Sequence, residues 1–331
     1  MVRTRMFGLA AASICFGVWT ADPAFADGLA RFEKSIKPQI PAGELTYKSA
    51  KGLGDDGFEL QDVVITPPPS DPAKGDKPQP ISVKTLTVEH LDFDSIDKQQ
   101  PPLFAKVKFD GITTGSSAAG FDLKQMAGID NVSADFGIDY ALDVDKKTFT
   151  LKRFELNLNG LGKLETSVVV DGVNADVASK PDEAMNNASL KTANITYDDH
   201  SLLAKAIPVA AALQGSDAKA LVAMAIALLD TARVGQGEAA QKAIDTLVAY
   251  VEDYQKPKGP LKIALNPPDK VSGTDLGNAK SADEIVKLLG IDVTYAGTRS
   301  STPAEPPAAT DVPSKEESPT KDEGALDKKK D

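Results

Sequence analysis

The stretch NVSADFGIDYALDV, residues 131–144, decides the fold because apolar and polar side chains alternate along it. Its apolar members occupy every second position: Val132, Ala134, Phe136, Ile138, Tyr140, Leu142 and Val144. A period of two places these side chains on one face of a β-strand and the intervening aspartates on the other. The polar sequence Asp145-Lys146-Lys147 follows, and the alternation resumes at Phe149. The pattern predicts an antiparallel hairpin with one apolar face and one solvated face.

The resumed alternation changes phase between Leu151 and Phe154, which predicts a β-bulge near Lys152 and Arg153. Short apolar runs between Gly, Pro and Asp residues predict further strands in the N-terminal half, at 45–49, 58–65, 81–88, 103–109 and 165–170. We therefore expect a curved antiparallel β-sheet over the N-terminal half of the chain.

Helical periodicity replaces this alternation in the C-terminal half. Ten consecutive apolar residues occupy 220–229, with Ser216 as the predicted N-cap, and an amphipathic stripe follows at Ile244, Leu247, Val248 and Val251. A strand at 261–265, a short helix begun by Ser281-x-x-Glu284 and ended by Gly290, and a strand at 291–295 close the pattern. The order predicts the α+β class, with the sheet packed against the helical segment and followed by strand–helix–strand.

The first 26 residues have the pattern of a secretory signal peptide. Arg3 and Arg5 precede an apolar region at 6–19, and Ala24-Phe25-Ala26 is an A-x-A cleavage site. We expect cleavage between Ala26 and Asp27 and a periplasmic location. The apolar region is too short to span a bilayer, so no transmembrane span is expected in the mature chain. Cleavage also removes Cys15, the only cysteine, which excludes disulfides and thiolate metal ligands.

Composition sets the remaining boundaries. Residues 299–331 are rich in proline and charge with almost no large apolar side chains, so a disordered tail is expected there. The predicted folded domain is 27–298, with 27–173 mainly β and 174–298 mainly α with closing strands. The whole sequence has 48 acidic and 37 basic residues and a net charge of −11. This excess excludes nucleic acid as a partner and argues against electrostatic docking on anionic lipid.

Two motifs have the residue types of an active site. Asp198-Asp199-His200-Ser201 contains catalytic and metal-ligating side chains, but adjacent residues point in different directions and cannot form a triad among themselves. The favoured interpretation is that Asp199 and Ser201 cap a helix that begins at Leu202. Gly52-x-Gly54-x-x-Gly57 matches the letters of a dinucleotide fingerprint, but a predicted strand follows where that fold requires a helix. It is interpreted as a hairpin turn, and no cofactor is expected.

The sheet and the helices both present apolar faces, which leads to a hypothesis about binding. If the sheet curves away from the helices, an apolar groove opens between them. Its predicted lining combines three strand residues with three helix residues: Phe136, Ile138, Tyr140, Leu221, Ala225 and Leu228. The alternative is complete mutual burial of the two faces in a dry core.

Three stretches resemble a group of uncharacterised exported proteobacterial proteins: PLFAKVKFDG at 102–111, ANITYDDHSLL at 193–203 and LLGIDVT at 288–294. The resemblance covers most of 27–298. Through its repeated amphipathic strands the chain is also distantly similar to AsmA-like envelope proteins, which are associated with lipid handling in β-grooves. The chain is much shorter than those proteins and lacks their N-terminal transmembrane helix. No functional residue is transferred from either group.

The sequence therefore favours a non-enzymatic periplasmic envelope protein that binds a lipid-like amphiphile or an envelope protein. Two other hypotheses stay open. One is a periplasmic hydrolase or metal-dependent enzyme that uses His200 and the neighbouring aspartates. The other is a purely structural envelope component. An enzyme requires a pocket where polar groups converge, whereas a lipid binder requires an apolar groove.

Overall fold

Strand pairing dominates the computed structural model, which describes residues 27–68, 80–114, 117–118, 121–122, 133–174 and 188–300. Eleven antiparallel strands form one open, curved sheet, and the α+β prediction is confirmed. The strands in chain order are β1 Leu45–Thr46, β2 Ser49–Gly52, β3 Phe58–Ile65, β4 Ile81–Leu91, β5 Phe104–Thr114, β6 Ser117–Ala118, β7 Phe121–Asp122, β8 Ser133–Asp143, β9 Thr148–Leu158, β10 Gly162–Asp171, β11 Ser189–Asp199, β12 Leu261–Leu265 and β13 Ile291–Thr294.

The order across the sheet is β1-β3-β4-β5-β8-β9-β10-β11-β12-β13, with β2 also paired to β3 and with β6 and β7 in a separate small hairpin. The described helices are α1 Gly28–Arg31, α2 Phe93–Asp97, α3 Leu202–Leu213, α4 Ala218–Arg233, α5 Glu238–Glu252, α6 Gly273–Asn278 and α7 Ala282–Leu289. A π-helical turn at Phe32–Ile36 and a 3-10 turn at Lys37–Gln39 continue α1.

The apolar face of β3 and β4 is buried beneath the N-terminal segment. Phe32 stacks on Phe58 with 4.4 Å between ring centroids, and Phe93 of α2 lies 6.5 Å from Phe58. Leu60 and Val63 of β3 are fully buried in the same cluster. Burial alternates with exposure along both strands, as expected where one face is covered and the other is solvated. This end of the sheet therefore has a closed core.

The glycine motif at 52–57 is a β-hairpin turn, as predicted. The turn joins β2 to β3, and the Gly28 amide donates a hydrogen bond to the Gly54 carbonyl at 2.8 Å. A Cβ atom on Gly28 would lie only 2.3 Å from the amide nitrogen of Gly57. The glycines thus permit α1 to rest directly on this turn.

The helical segment packs at the opposite end of the sheet. It is inserted between β11 and β12, and α5 packs against β13. Ile226 of α4 forms a second core cluster with Ile244 and Val248 of α5. Asp217 caps α4, because its carboxylate accepts a hydrogen bond from the Ala220 amide at 2.8 Å. The prediction that Ser216 is this N-cap is wrong, since Asp217 is the residue whose carboxylate reaches the free amides of the first turn.

The hairpin that determines the fold forms with the predicted bulge. β8 pairs with β9 so that Ile138 faces Phe154 and Tyr140 faces Leu151, and Lys152 is the extra residue of the predicted bulge. Val132, the first residue of the predicted run, lies outside the described residues. The predicted left-handed residue at the end of α7 is also confirmed, with φ 56° at Gly290.

The folded region continues slightly beyond the predicted boundary at residue 298. Arg299 pairs with Asp230 at 2.6 Å and with Asp245 at 2.7 Å. The Ser300 amide donates a hydrogen bond to Glu252 at 2.7 Å. Composition alone assigns Arg299 to the proline-rich tail, because its partners Asp230 and Asp245 are distant in sequence and no local pattern reveals them. Residues 301–331, the remainder of the predicted tail, lie outside the described residues.

A buried carboxylate joins α2 to the start of β5. Asp92 is 7% exposed and accepts hydrogen bonds from the Ser95 amide at 3.1 Å, the Ser95 hydroxyl at 2.6 Å and the Leu103 amide at 3.0 Å. Burial alone raises the pKa of Asp92, but these hydrogen bonds outweigh burial and hold the pKa below its usual value. The charged form of Asp92 therefore stabilises the folded state.

We predict that Asp92→Asn lowers the free energy of unfolding at pH 7 by about 1–3 kcal/mol, because it removes an acceptor from buried donors. The folded-state pKa is depressed, so this stabilisation is present above the unfolded pKa of about 3.9 and is lost as the pH falls through the folded pKa. Urea unfolding at pH 7 and at progressively lower pH measures both effects. The matched control is Asp145→Asn in the exposed β8–β9 turn. A gap between wild type and Asp92→Asn that stays constant down to pH 2 would contradict this assignment.

Candidate functional site

The apolar face of β5, β8, β9 and β10 is continuous from strand to strand. The pairing places apolar residues opposite one another in rows that run across the sheet: Phe109, Phe136, Leu156 and Leu164; Val107, Ile138 and Phe154; Ala105, Tyr140, Leu151 and Val168; and Leu142, Phe149 and Val170. We call this set of residues the central apolar face. It exists because the alternation in each strand has the same phase once the bulge at Lys152 is included.

Ala105 of the central apolar face is buried, and Val107 and Phe109 pack against the core at the first end of the sheet, whereas the part on β8, β9 and β10 is only partly shielded from solvent. Every residue of Ser133–Asp143 is partly exposed, so burial does not alternate along β8 as it does along β3 and β4. Among the described residues, no helix packs along β8, β9 or β10; α1 and α2 cover one end of the sheet, and α5 covers the other. Side chains in this region are shielded mainly by their own neighbours on the sheet.

Aromatic rings line the middle of the central apolar face. Phe136 lies 5.8 Å from Phe109 and 5.5 Å from Phe154, with the second pair nearly perpendicular. Tyr140 and Phe149 are 6.0 Å apart further along the same strands. Edge-to-face and tilted pairs of this kind are favourable in themselves and hold the rings in defined positions. The face is therefore ordered without a covering layer.

Tyr140 places a hydroxyl group at one margin of this face. Its hydroxyl donates a hydrogen bond to the Pro102 carbonyl at 3.2 Å. Burial, followed by the negative charge of Asp92, raises the pKa of Tyr140, so the phenol stays neutral. A neutral, hydrogen-bonded phenol places a polar group at the margin without adding charge.

The opposite face of the same strands is charged but largely self-neutralising. Arg153 pairs with Glu155 and with Glu165, the latter at 3.1 Å, and Lys163 also pairs with Glu165 at 3.1 Å. Hydrogen bonds from Lys163 and then from Arg153 lower the pKa of Glu165. A shallow cavity of about 270 Å³ lies over Gly137 between these charges. Both signs of charge line it, so it has no strong preference for an anion or a cation.

The structure separates the two halves of the predicted groove. Phe136, Ile138 and Tyr140 lie on the central apolar face, as the alternation predicts. Leu221, Ala225 and Leu228 lie on α4, which packs against α3 and α5 rather than along β8. Leu228 is 65% exposed. The helices cover the strands nearest their own insertion point, so the two apolar sets form separate surfaces.

Several residues of the central apolar face were not assigned to the site from the sequence: Phe109, Phe154, Leu156, Leu164 and Val168. Each lies in a strand, or next to one, whose alternation was recognised. Their shared face follows only from the pairing register, which requires the position of the bulge in β9 and the order in which the strands pair. The predicted bulge near Lys152 aligns β9 with β8, but no local pattern specifies that β5 and β10 pair with this hairpin.

The acidic cluster at 198–201 functions mainly as a helix start. Asp199 is 5% exposed and accepts hydrogen bonds from the Leu203 amide at 3.0 Å and the Tyr197 hydroxyl at 2.7 Å. The predicted capping by Asp199 is confirmed. The Ser201 hydroxyl instead donates to the Gly160 carbonyl at 2.9 Å and makes no capping bond. His200 lies 3.6 Å from Asp198, and both side chains are about half exposed.

Three tyrosines close the C-terminal end of the sheet face near this cluster. Tyr250 of α5 lies 6.3 Å from Tyr197 and 5.0 Å from Tyr295, with both pairs close to perpendicular. Burial, followed by the hydrogen bond to Asp199, raises the pKa of Tyr197 well above its usual range. Burial, followed by the negative charge of Asp199, does the same for Tyr250. The rings anchor α5 to β11 and mark one boundary of the central apolar face.

Within the described residues, no three His, Cys, Asp or Glu side chains are placed to hold one metal ion. No single helix in the same part of the chain is long and apolar enough to cross a bilayer. The pair α3 and α4 reaches that length and hydropathy together, but the two helices are bent by 96°.

Comparison with known proteins gives limited information. A protein-family model described as "Uncharacterized protein" matches residues 155–296, which is less than half of the chain. The match contains β10 to β13 and the helical segment. No curated protein is significantly similar to the chain.

We predict that Asp199→Ala lowers the free energy of unfolding by about 1–3 kcal/mol, because the Tyr197 hydroxyl and the Leu203 amide lose a shared buried acceptor. His200→Ala, at an exposed position, should change it by less than about 0.5 kcal/mol. Urea unfolding of both variants at pH 7 measures the difference, with Asp198→Ala as a matched control. Equal losses in Asp199→Ala and Asp198→Ala would contradict the capping role.

Proposed function

We propose that this protein binds a lipid-like amphiphile, with the acyl chain lying on the central apolar face. The observation that carries the proposal is the partial exposure of every residue along β8, in a position where an apolar row continues across four strands. An acyl chain placed there removes apolar surface from water at about 25 cal/mol per Å². The protein is then a non-enzymatic binder, and the signal-peptide pattern supports a periplasmic location.

The chemistry of the surface favours an acyl chain over a peptide. The middle strands hydrogen-bond to neighbours on both sides, so their backbone groups are already paired. A peptide lying on this face would find few partners for its own backbone amides and carbonyls, and leaving them unpaired costs free energy. An acyl chain has no such groups to satisfy. The resemblance of the repeated amphipathic strands to those of AsmA-like envelope proteins motivates the same choice.

Exposed ion pairs at one margin of the sheet offer a polar surface for the head of an amphiphile, with Lys146 paired to Asp143 at 2.7 Å and Lys191 paired to Asp171 at 3.5 Å. Lys146 lies in the turn between β8 and β9, and Lys191 lies near the start of β11. Both are exposed, and both belong to the same margin of the antiparallel sheet. The acyl chain would extend from this margin along the strands, and the headgroup would stay in water.

We predict that the folded full chain binds a fluorescent fatty acid such as cis-parinaric acid, and that Ile138→Glu weakens binding by about tenfold or more. The substitution places a charge in the middle of the apolar contact, and a loss of 1.4 kcal/mol corresponds to tenfold in Kd. Ala141→Glu is the matched control, since Ala141 lies on the same strand but faces the charged side. Fluorescence titration gives both dissociation constants.

The control should bind within about twofold of the wild type. Circular dichroism and the urea midpoint of each variant show whether it is folded. Absence of fatty-acid binding by folded wild type, or equal weakening by the two glutamate variants, would overturn the proposal. Binding of an envelope protein, but no fatty acid, to the same face would favour the protein-partner alternative.

A further inference from the structure

Helix α4 has a second apolar stripe that the fold does not bury. One stripe, which contains Val222, Ile226 and Leu229, packs against α5. On the opposite side, Met224, Ala227, Leu228 and Thr231 are exposed at the spacing i, i+3, i+4 and i+7. Residues at this spacing lie on one side of a helix. We call this set of four residues the outer stripe.

Polar groups on and beside the outer stripe already have partners. The Thr231 hydroxyl donates to the Ala227 carbonyl at 2.8 Å, so it needs no water. Asp230 pairs with Arg299 at 2.6 Å, and Arg233 pairs with Asp245 at 2.9 Å. Moving the stripe out of water would therefore leave none of these side chains unpaired. The outer stripe can thus enter an apolar environment without breaking these hydrogen bonds and ion pairs.

Exposed apolar residues also lie near the two ends of α4, and the segment that contains the outer stripe carries a net positive charge. Leu213, at the end of α3, and Val234, just after α4, are both highly exposed. From Leu202 to Leu229 the charged residues are Lys205, Asp217 and Lys219, so this segment is net positive in a chain of net charge −11. Asp217 is engaged in capping α4. Lys205 and Lys219 are both exposed, and their long side chains can extend toward lipid phosphates at the ends of the inserted helices.

We infer that α3 and α4 dock on the surface of a lipid bilayer, with the outer stripe inserted at the boundary between headgroups and acyl chains. The pair has the hydropathy of a membrane segment but a bend of 96°, which suits helices lying in the interface rather than a straight span. Apolar burial drives the docking, and the local positive charge assists it against the repulsion of the acidic chain by anionic lipid. This surface is distinct from the central apolar face, and the inference does not depend on amphiphile binding there.

The test uses a single tryptophan as a reporter in the chain expected after signal cleavage, residues 27–331, which lacks Trp19, the only native tryptophan. Leu228→Trp and the control Leu276→Trp are each made in this chain, so that the apolar signal segment cannot bind the vesicles itself. Leu276 is exposed on α6, away from the outer stripe. The proteins are mixed with vesicles of phosphatidylethanolamine and phosphatidylglycerol in a three-to-one ratio. Emission is recorded with normal lipids and with lipids that have brominated acyl chains.

The expected result is a blue shift and bromine quenching at position 228, with neither effect at position 276. In flotation with the same vesicles, the double variant Met224→Asp, Leu228→Asp should lose most of the binding of the wild type, while Leu276→Asp keeps it. Ile138→Glu should bind vesicles normally, which separates this inference from the proposed function. Absence of quenching at 228, or equal quenching at both positions, would overturn it. A blue shift at 228 that depends on protein concentration without vesicles would also overturn it and would indicate a second copy as the partner.

Discussion

Strand pairing without a complete second layer is the constraint on which the rest of the structure depends. In an antiparallel sheet, each inner strand pairs its backbone groups on both sides, so the ladder can extend independently of what covers its faces. Here the ladder reaches eleven strands, whereas the described helices cover only its two ends. The middle strands keep an apolar face because their alternation is in phase. That face leaves apolar surface in contact with water, which costs free energy, and it is the surface on which we propose that an amphiphile binds.

The two ends differ in how they are held. At the first end, Phe32, Phe58 and Phe93 form a buried cluster. The N-terminal segment covers it, and α1 rests on the turn between β2 and β3. At the other end, the contact between α5 and the sheet includes tyrosines whose hydroxyls meet buried or half-buried carboxylates, as Tyr197 meets Asp199. Both ends fix the geometry of the sheet, and the central apolar face lies between them. The proposed binding surface is therefore centred on β8, β9 and β10, and it meets the first core at Val107 and Phe109 of β5.

Local patterns predicted the elements well and predicted their assembly less well. The alternation over the described strand Ser133–Asp143, the bulge near Lys152 and the capping role of Asp199 each depend on residues close in sequence, and the structure confirms them. The groove between β8 and α4 depended on where a helical insertion packs, which no local pattern specifies. The wrong N-cap at Ser216 and the ion pairs of Arg299 have the same origin, since competing or distant partners decide them.

Photo-crosslinking tests the central claim most directly, because it reports which side chains touch an acyl chain. The full chain is irradiated with a fatty acid that carries a diazirine on its acyl chain, and the labelled residues are mapped by peptide mass spectrometry. The account predicts labels on alternate residues of β8 and β9, including Ile138, Phe154 and Leu156, which share one face. Labels on the charged face, as at Asp139 or Glu155, or labels confined to α4, would contradict it.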